Sequence, residues 1–264
     1  MNTYSRTVTA YIPGKNPWTH RIRTFYDKKH TKKRTDGFAI LIKGKLESHG
    51  AITTWHDNGH LIKIDNFCYG IQTGMTSMFR VDGTLFGQVT YKNGIKHGWT
   101  ANYDKDGKTL LNQTMWLNNI RRRDYIYHSD VGGKKLIKEI VDYNNGKIVQ
   151  KSAFDKDSSI ATHQIFYENG IPHYIINEEK FITNNFKGSK VKQPSNKKIW
   201  ALSGPLEIYY PDGTLKVRLF YNKGREDIML RKEYNSSGKP MAYTKPMMFK
   251  IPNYTDILKP IQLE

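Results

Sequence analysis

Glycine returns on a fixed clock in this chain. The stretch "GMTSMFRVDGTLFGQVTYKNGIKHG", residues 74–98, carries glycine at 74, 83, 94 and 98, and "GAITTWHDNGHLIKIDNFCYGIQTG" before it carries glycine at 50, 59, 70 and 74. Gly98 and Gly107 repeat the nine-residue step, and Gly204, Gly213 and Gly224 repeat nine and eleven. A period of about 24 residues is the signature of an array, in which each unit buries its apolar face on its neighbours instead of around one central core.

What each unit folds into follows from what lies between the glycines. Runs of five to eight residues rich in aromatic and β-branched types are bounded by D-G, N-G or K-G pairs such as "VDG" at 81–83, "KNG" at 92–94, "KDG" at 105–107, "NNG" at 144–146, "ENG" at 168–170 and "PDG" at 211–213. Such runs are strands and such pairs are hairpin turns, because glycine accepts the positive φ that tight turns demand. Two strands and two turns per unit, repeated, make an antiparallel β-meander. The aromatics keep the same time: Trp55, Phe79, Tyr103, Tyr127 and Tyr209 stand five residues after the leading position of their units, and Phe67, Tyr91 and Tyr221 stand seventeen after it. Matching positions of successive units align across the sheet, so the rings are expected to form ladders that stabilise it, in preference to lining a ligand groove.

The pattern G-x4-aromatic-x2-D/N-G-x-L, followed by Y-x-N-G and a second glycine, resembles the MORN repeat in its bacterial and viral variant form. Gly74–Gly98 is the best copy and Gly204–Gly224 the next; residues 50–121 match over three units, residues 122–173 match loosely, residues 174–203 hardly match and residues 1–49 do not. The resemblance implies an all-β fold, an elongated antiparallel meander of double-hairpin repeats. It also implies employment in holding proteins or membranes together without catalysis. Some bacterial relatives of this kind resemble antitoxin or immunity proteins, and similar arrays occur among large DNA viruses.

The organisation expected is therefore a non-repeat β-hairpin cap over 1–49, a repeat array over 50–240 with a degenerate part at 122–173 and a basic insertion at about 178–203, and a Pro-containing strap over 241–264. Within the cap, "YSRTVTAYI" (4–12) and "WTHRIRTFY" (18–26) alternate as strands, and the second places Arg21 and Arg23 on the face opposite Ile22. "FAILI" (38–42) reads as a strand covered on both sides.

The charge is the strongest compositional signal. Forty-two Lys and Arg face 24 acids, for a formal net charge of +18. It is concentrated: "KKHTKKR" supplies Lys28, Lys29, Lys32, Lys33 and Arg34, and "KGSKVKQPSNKK" supplies Lys187, Lys190, Lys192, Lys197 and Lys198, with Arg121, Arg122 and Arg123 between. A charge run is often only a solvated loop, but three acid-free clusters on so basic a chain point to contact with an anionic partner. These thirteen residues are the candidate binding set. The partners this chemistry admits are a protein with an acidic surface, nucleic acid or an anionic membrane surface, and a second copy of the chain through exposed edge strands.

Catalytic, cofactor and metal sites are not expected. His56 and His60 flank a D-N-G turn and lack the helical spacing of a zinc site. "DKDGK" at 104–108 and "DKDSS" at 155–159 lack the further acids of a calcium loop and read as turns. Cys68, the single cysteine, lies within a predicted strand and is expected to be a buried, inert thiol. One cysteine excludes an intrachain disulfide, and the amino terminus shows no apolar secretory region, so an intracellular setting is expected, in cytoplasm, virion or virus-infected cell. The functional expectation is a non-enzymatic binding scaffold. The alternatives are a nucleic-acid-binding protein and an immunity protein that caps a toxin.

Overall fold

The structure, a computed structural model, describes residues 19–128, 135–157, 159–182 and 198–242. It is all-β and antiparallel, and the long strands follow one another in meander order. Two compact units divide the chain, the first ending at Arg122 and the second starting at Arg123. In the first, β1 (Thr19–Phe25), β2 (Lys33–Ile42), β3 (Lys45–Trp55), β4 (Leu61–Cys68), β5 (Ile71–Gln72), β6 (Gly74–Phe79), β7 (Leu85–Lys92), β8 (Ile95–Tyr103) and β9 (Leu110–Leu117) follow one another, and β10 (Ile120–Tyr127) spans the division. The second continues with β11 (Ile137–Asn144), β12 (Lys147–Phe154), β13 (Ile160–Phe166), β14 (Pro172–Ile182), β15 (Lys198–Tyr209), β16 (Leu215–Asn222), β17 (Arg225–Glu226) and β18 (Lys232–Glu233). A single 3-10 turn, Ile228–Leu230, interrupts the last pair of short strands.

The turns fall into two kinds that alternate along the chain. At Tyr69-Gly70, Asn93-Gly94, Asn118-Asn119, Asn145-Gly146 and Lys223-Gly224 both residues have positive φ, the signature of a two-residue type I′ hairpin. At the D-G type of turn only the glycine does. There the residue opening the turn accepts from the glycine and donates to the far strand, as at Arg80, which accepts from the Gly83 N–H at 2.9 Å and donates to Thr84 at 2.8 Å. That is a four-residue turn closed by a left-handed glycine. It forces an extra residue into one strand, so the register slips at Trp55, Phe79, Tyr103 and Tyr209, ring positions of the sequence clock, and a slip also falls at Tyr127.

The slipped residues have a second job. Their backbone carbonyls accept from side chains of an adjoining turn: Tyr26 Oη donates to Trp55 at 2.8 Å, Arg80 Nη2 to Tyr103 at 2.6 Å, and Tyr167 Oη to Tyr209 at 2.9 Å. A carbonyl freed by the bulge is thus satisfied by a neighbouring hairpin, which locks unit to unit.

Strand alternation then sorts the core. In β7, "LFGQVTYK", Gly87 and Val89 are buried, and in β16, "LKVRLFYN", Val217 and Leu219 are. The second unit gathers Ile176, Leu206, Ile208, Val217 and Leu219 into one cluster, with Ile165, Tyr174, Leu202 and Tyr221 packed on it. Burying each such aliphatic side chain contributes about 1.5–3 kcal/mol.

Several expectations need adjustment. Cys68 is exposed, because as the last residue of β4 before a type I′ turn it points away from the inner face. Residues 178–182 and 198–203, expected within a basic insertion, belong to β14 and β15 and pair from Glu178↔Leu202 to Ile182↔Lys198. The hairpin strand at 4–12, the remainder of the insertion and the strap beyond Ala242 lie outside the described residues.

Candidate anion-binding site

The first of the three basic clusters is built into the β1–β2 hairpin. Its loop is organised by Asp27, whose carboxylate accepts from the Thr31 N–H at 3.0 Å, the Thr31 hydroxyl at 2.7 Å and the Lys32 N–H at 2.8 Å. These bonds, that to Lys32 foremost, hold the Asp27 carboxyl down to about 2. The Tyr26 N–H closes the loop on the Lys32 carbonyl at 2.9 Å, and Phe25 meets the His30 ring edge-on at 4.9 Å. Lys28, Lys29 and Lys32 are thereby displayed from a braced loop, all exposed.

Lys33 and Arg34 are not loop residues. They open β2, and each lies over an aromatic ring: the Lys33 ammonium 5.2 Å from the Trp55 centroid and the Arg34 guanidinium 5.7 Å from that of Tyr26. On the same hairpin Asp36 gathers three cations. Arg21 binds it with two bonds of 2.8 Å, Arg23 reaches it at 3.3 Å and Lys33 at 3.9 Å. The bond from Arg21 lowers the Asp36 pKa and raises that of Arg21, so both stay charged. Asp36 is 11% exposed while Arg21, Arg23 and Lys33 are 38, 34 and 49% exposed, so the shared carboxylate orients three heads that still face solvent. Between residues 21 and 36 seven cationic side chains stand against two carboxylates.

The hairpin borders a cleft of about 390 Å³, lined on one side by Thr31, Lys32 and Lys33 and on the other by Trp55 and the turn from His56 to Gly59. Arg21, Arg23 and Trp55 were absent from the sequence-based set. The alternation of "WTHRIRTFY" put both arginines on one face, but only the register Arg23↔Asp36 reveals the carboxylate that groups them.

The other two clusters fare differently. Arg121, Arg122 and Arg123 sit in β10, where successive side chains point to opposite faces, so they make no single patch. Arg121 is exposed and Arg122 half-buried. Arg123 is buried and its guanidinium is engaged by Asp142, at 2.9 Å to Oδ2, and by the Tyr125 hydroxyl at 3.3 Å. Arg123 is an interior ion pair and leaves the binding set. Lys187, Lys190, Lys192 and Lys197 lie outside the described residues, and Lys198 is the first residue of β15.

One side-chain set has the form of a hydrolytic triad. Ser152 Oγ is 2.7 Å from His163 Nδ1, and His163 Nε2 is 3.3 Å from Glu178 Oε2, across three adjacent strands. Ser152 and His163 are 0 and 1% exposed, so no substrate reaches the hydroxyl, and a nucleophile without access does no chemistry. The set is an interior hydrogen-bonded ladder. Sequence reasoning missed it because its three members come from three strands.

Residues 202–223 match the family model of the MORN repeat variant. The matched MORN segment is β15 and β16 with their D-G turn, the second-best copy in the sequence, and its leading Gly204 pairs with Tyr221 as Gly74 pairs with Tyr91. No curated protein matches the chain. The match suggests a repeat scaffold as the coarse functional class, and MORN repeat proteins are generally non-enzymatic.

Proposed function

We propose that this protein is a non-enzymatic repeat scaffold that engages a protein partner through its sheet surface and an anionic group through the basic face of the β1–β2 hairpin. The carrying observation is the clustering of Arg21, Arg23 and Lys33 on one nearly buried carboxylate, beside a loop presenting Lys28, Lys29 and Lys32. Fixing cations in advance removes part of the ordering cost of binding, and a concentrated field of one sign raises the local concentration of an anion. The inward set Ser152–His163–Glu178 has no access, which favours binding over catalysis.

The test is the triple variant Lys28→Glu, Lys29→Glu, Lys32→Glu, compared with the unaltered chain on a heparin column and by thermal unfolding. The expected result is elution at markedly lower salt with each substitution changing stability by no more than about 0.5 kcal/mol, as exposed positions do. Unchanged elution, or a collapse of the fold, overturns the assignment.

A further inference from the structure

The cleft beside the basic hairpin is chemically mixed. Lys32 and Lys33 give it cations, Trp55 gives it a planar ring, and Asp57 on the opposite turn gives it an exposed carboxylate. Lys33 joins it to the arginine cluster, since its ammonium lies 3.9 Å from Asp36 and 5.2 Å from the Trp55 centroid. The Trp55 carbonyl accepts from Tyr26 Oη, so the strand end carrying the indole is anchored to the same hairpin that carries the cations.

In a site for bare anions the ring would serve only to hold Lys33, and Asp57 would weaken binding. The same objection holds for an acidic peptide, whose carboxylates would face Asp57, and for a lipid headgroup made only of phosphate and hydroxyls. A ligand that is anionic at one end and planar at the other, with N–H donors on the planar part, uses the cations, the ring and the carboxylate together. Its phosphate meets Lys32 and Lys33, its ring lies against Trp55, and its amino group donates to Asp57. Bases stack on aromatic side chains in this way where cations track the backbone, and a carboxylate accepts from the cytosine amino group. A volume of about 390 Å³ suits one such unit, within the range of roughly 300–1,000 Å³ typical of small-ligand sites.

We propose that this cleft holds one nucleotide of a single-stranded nucleic acid, with the phosphate at Lys33 and the base against Trp55. A duplex is excluded as the occupant because its bases stay stacked on one another. The inference rests on the reading of the hairpin as an anion-binding face and adds the recognition of the base.

The experiment measures binding of the full chain to a fluorescein-labelled deoxycytidine decamer and to an abasic decamer of equal length and charge, at one ionic strength. The unaltered protein is expected to bind the cytidine decamer at least about tenfold more tightly, the gain that one stacked base supplies. Trp55→Ala should erase that difference and leave the abasic decamer unaffected, whereas Trp55→Phe, which keeps a ring, should retain most of it. Lys33→Ala should weaken both decamers. A thymidine decamer, which lacks the amino group, should bind less tightly than the cytidine one. Equal affinity for cytidine and abasic decamers, with both lost in the triple Lys→Glu variant, overturns the base site and leaves the anion-binding face standing. Binding of acidic vesicles or polyglutamate in preference to either decamer likewise overturns the base site. Failure to bind any of these polyanions overturns both.

Discussion

The segment around β15 and β16 and the one around β4 and β6 bury different chemistry at matching positions of the repeat. Counted from the leading glycine, Leu206 and Thr76 both stand two residues on, and Leu219 and Asp65 both stand fifteen on, from Gly204, Gly74, Gly204 and Gly50 in turn. All four are buried. In the second unit the two leucines face each other across the strand pair within an aliphatic cluster. In the first, Asp65 Oδ1 accepts from Thr76 Oγ1 and Gln72 Nε2, each at 3.1 Å, and Lys63 Nζ lies 2.6 Å from Oδ2. An inner position therefore accepts either an apolar contact or a hydrogen-bonded polar group, although Thr100, two residues after Gly98, buries a hydroxyl that has no partner among the described residues. What the repeat holds constant is the turn and the bulge, which set the path of the chain. The Ser152–His163–Glu178 ladder is a third filling of such inward positions.

The comparison is tested hardest at its apolar end. Leu206→Ala empties a fully buried aliphatic site and is expected to cost about 2–5 kcal/mol by denaturant unfolding, since the cavity adds to the lost transfer energy. A cost below about 1 kcal/mol would mean that the cluster is not a packed core. Asp65→Ala should cost less, about 1–3 kcal/mol, because the buried Thr76 hydroxyl loses its acceptor and keeps only the bond it accepts from Gln72 at 2.9 Å, while Lys63, 46% exposed, finds water. Replacing both partners by apolar residues of similar shape, Asp65→Leu with Thr76→Val, should recover part of that loss. If the double variant is less stable than Asp65→Ala, the two fillings are not interchangeable and the network is specific to the amino-terminal unit.

The glycine clock made the meander legible, because a turn is a local event and its residue requirements are local. The two turn kinds were not separable in "VDG" and "KNG", since both end in glycine; what divides them is the residue before it, left-handed in Asn93 and not in Asp82. The basic hairpin was legible as charge, but its arrangement was not. Arg21, Arg23 and Lys33 become one cluster only through Asp36, and Trp55 joins them only through a cleft closed by a separate turn. Arg123 misled for the converse reason: in sequence it extends a cationic triplet, and in the sheet its strand turns it inward onto Asp142. Contacts between strands are set by register, which no short stretch of sequence contains.

Acid reaches turn carboxylates of both units, Asp155 and Asp212 being lowered in the second, whereas a phenol pushed far up belongs to the second, and this is the smallest effect expected. In the first, the exposed turn carboxylates Asp27 and Asp106 are each held down to about 2, Asp27 chiefly by the Lys32 N–H and Asp106 chiefly by the Thr109 hydroxyl. A depressed carboxyl adds stability that is complete above its unfolded value of about 3.9 and is lost as pH falls through the folded value. The amide resonances of Thr31, Lys32 and Thr109 should therefore titrate with midpoints near 2; midpoints near 4 would mean that these carboxylates do not hold their turns. In the second unit burial, with the Glu207 bond added, pushes the Tyr209 phenol up to about 12. A raised phenol contributes stability that is complete below about pH 10 and lost as pH rises through about 12. In an ultraviolet titration of the folded protein, Tyr209→Phe should remove a phenol that ionises well above the ordinary range, raised by burial first and then by the bond its hydroxyl donates to Glu207 at 2.5 Å. If the phenol lost in that variant instead ionises near 10, Tyr209 is open to water and the bulge it occupies is not sealed by its neighbours.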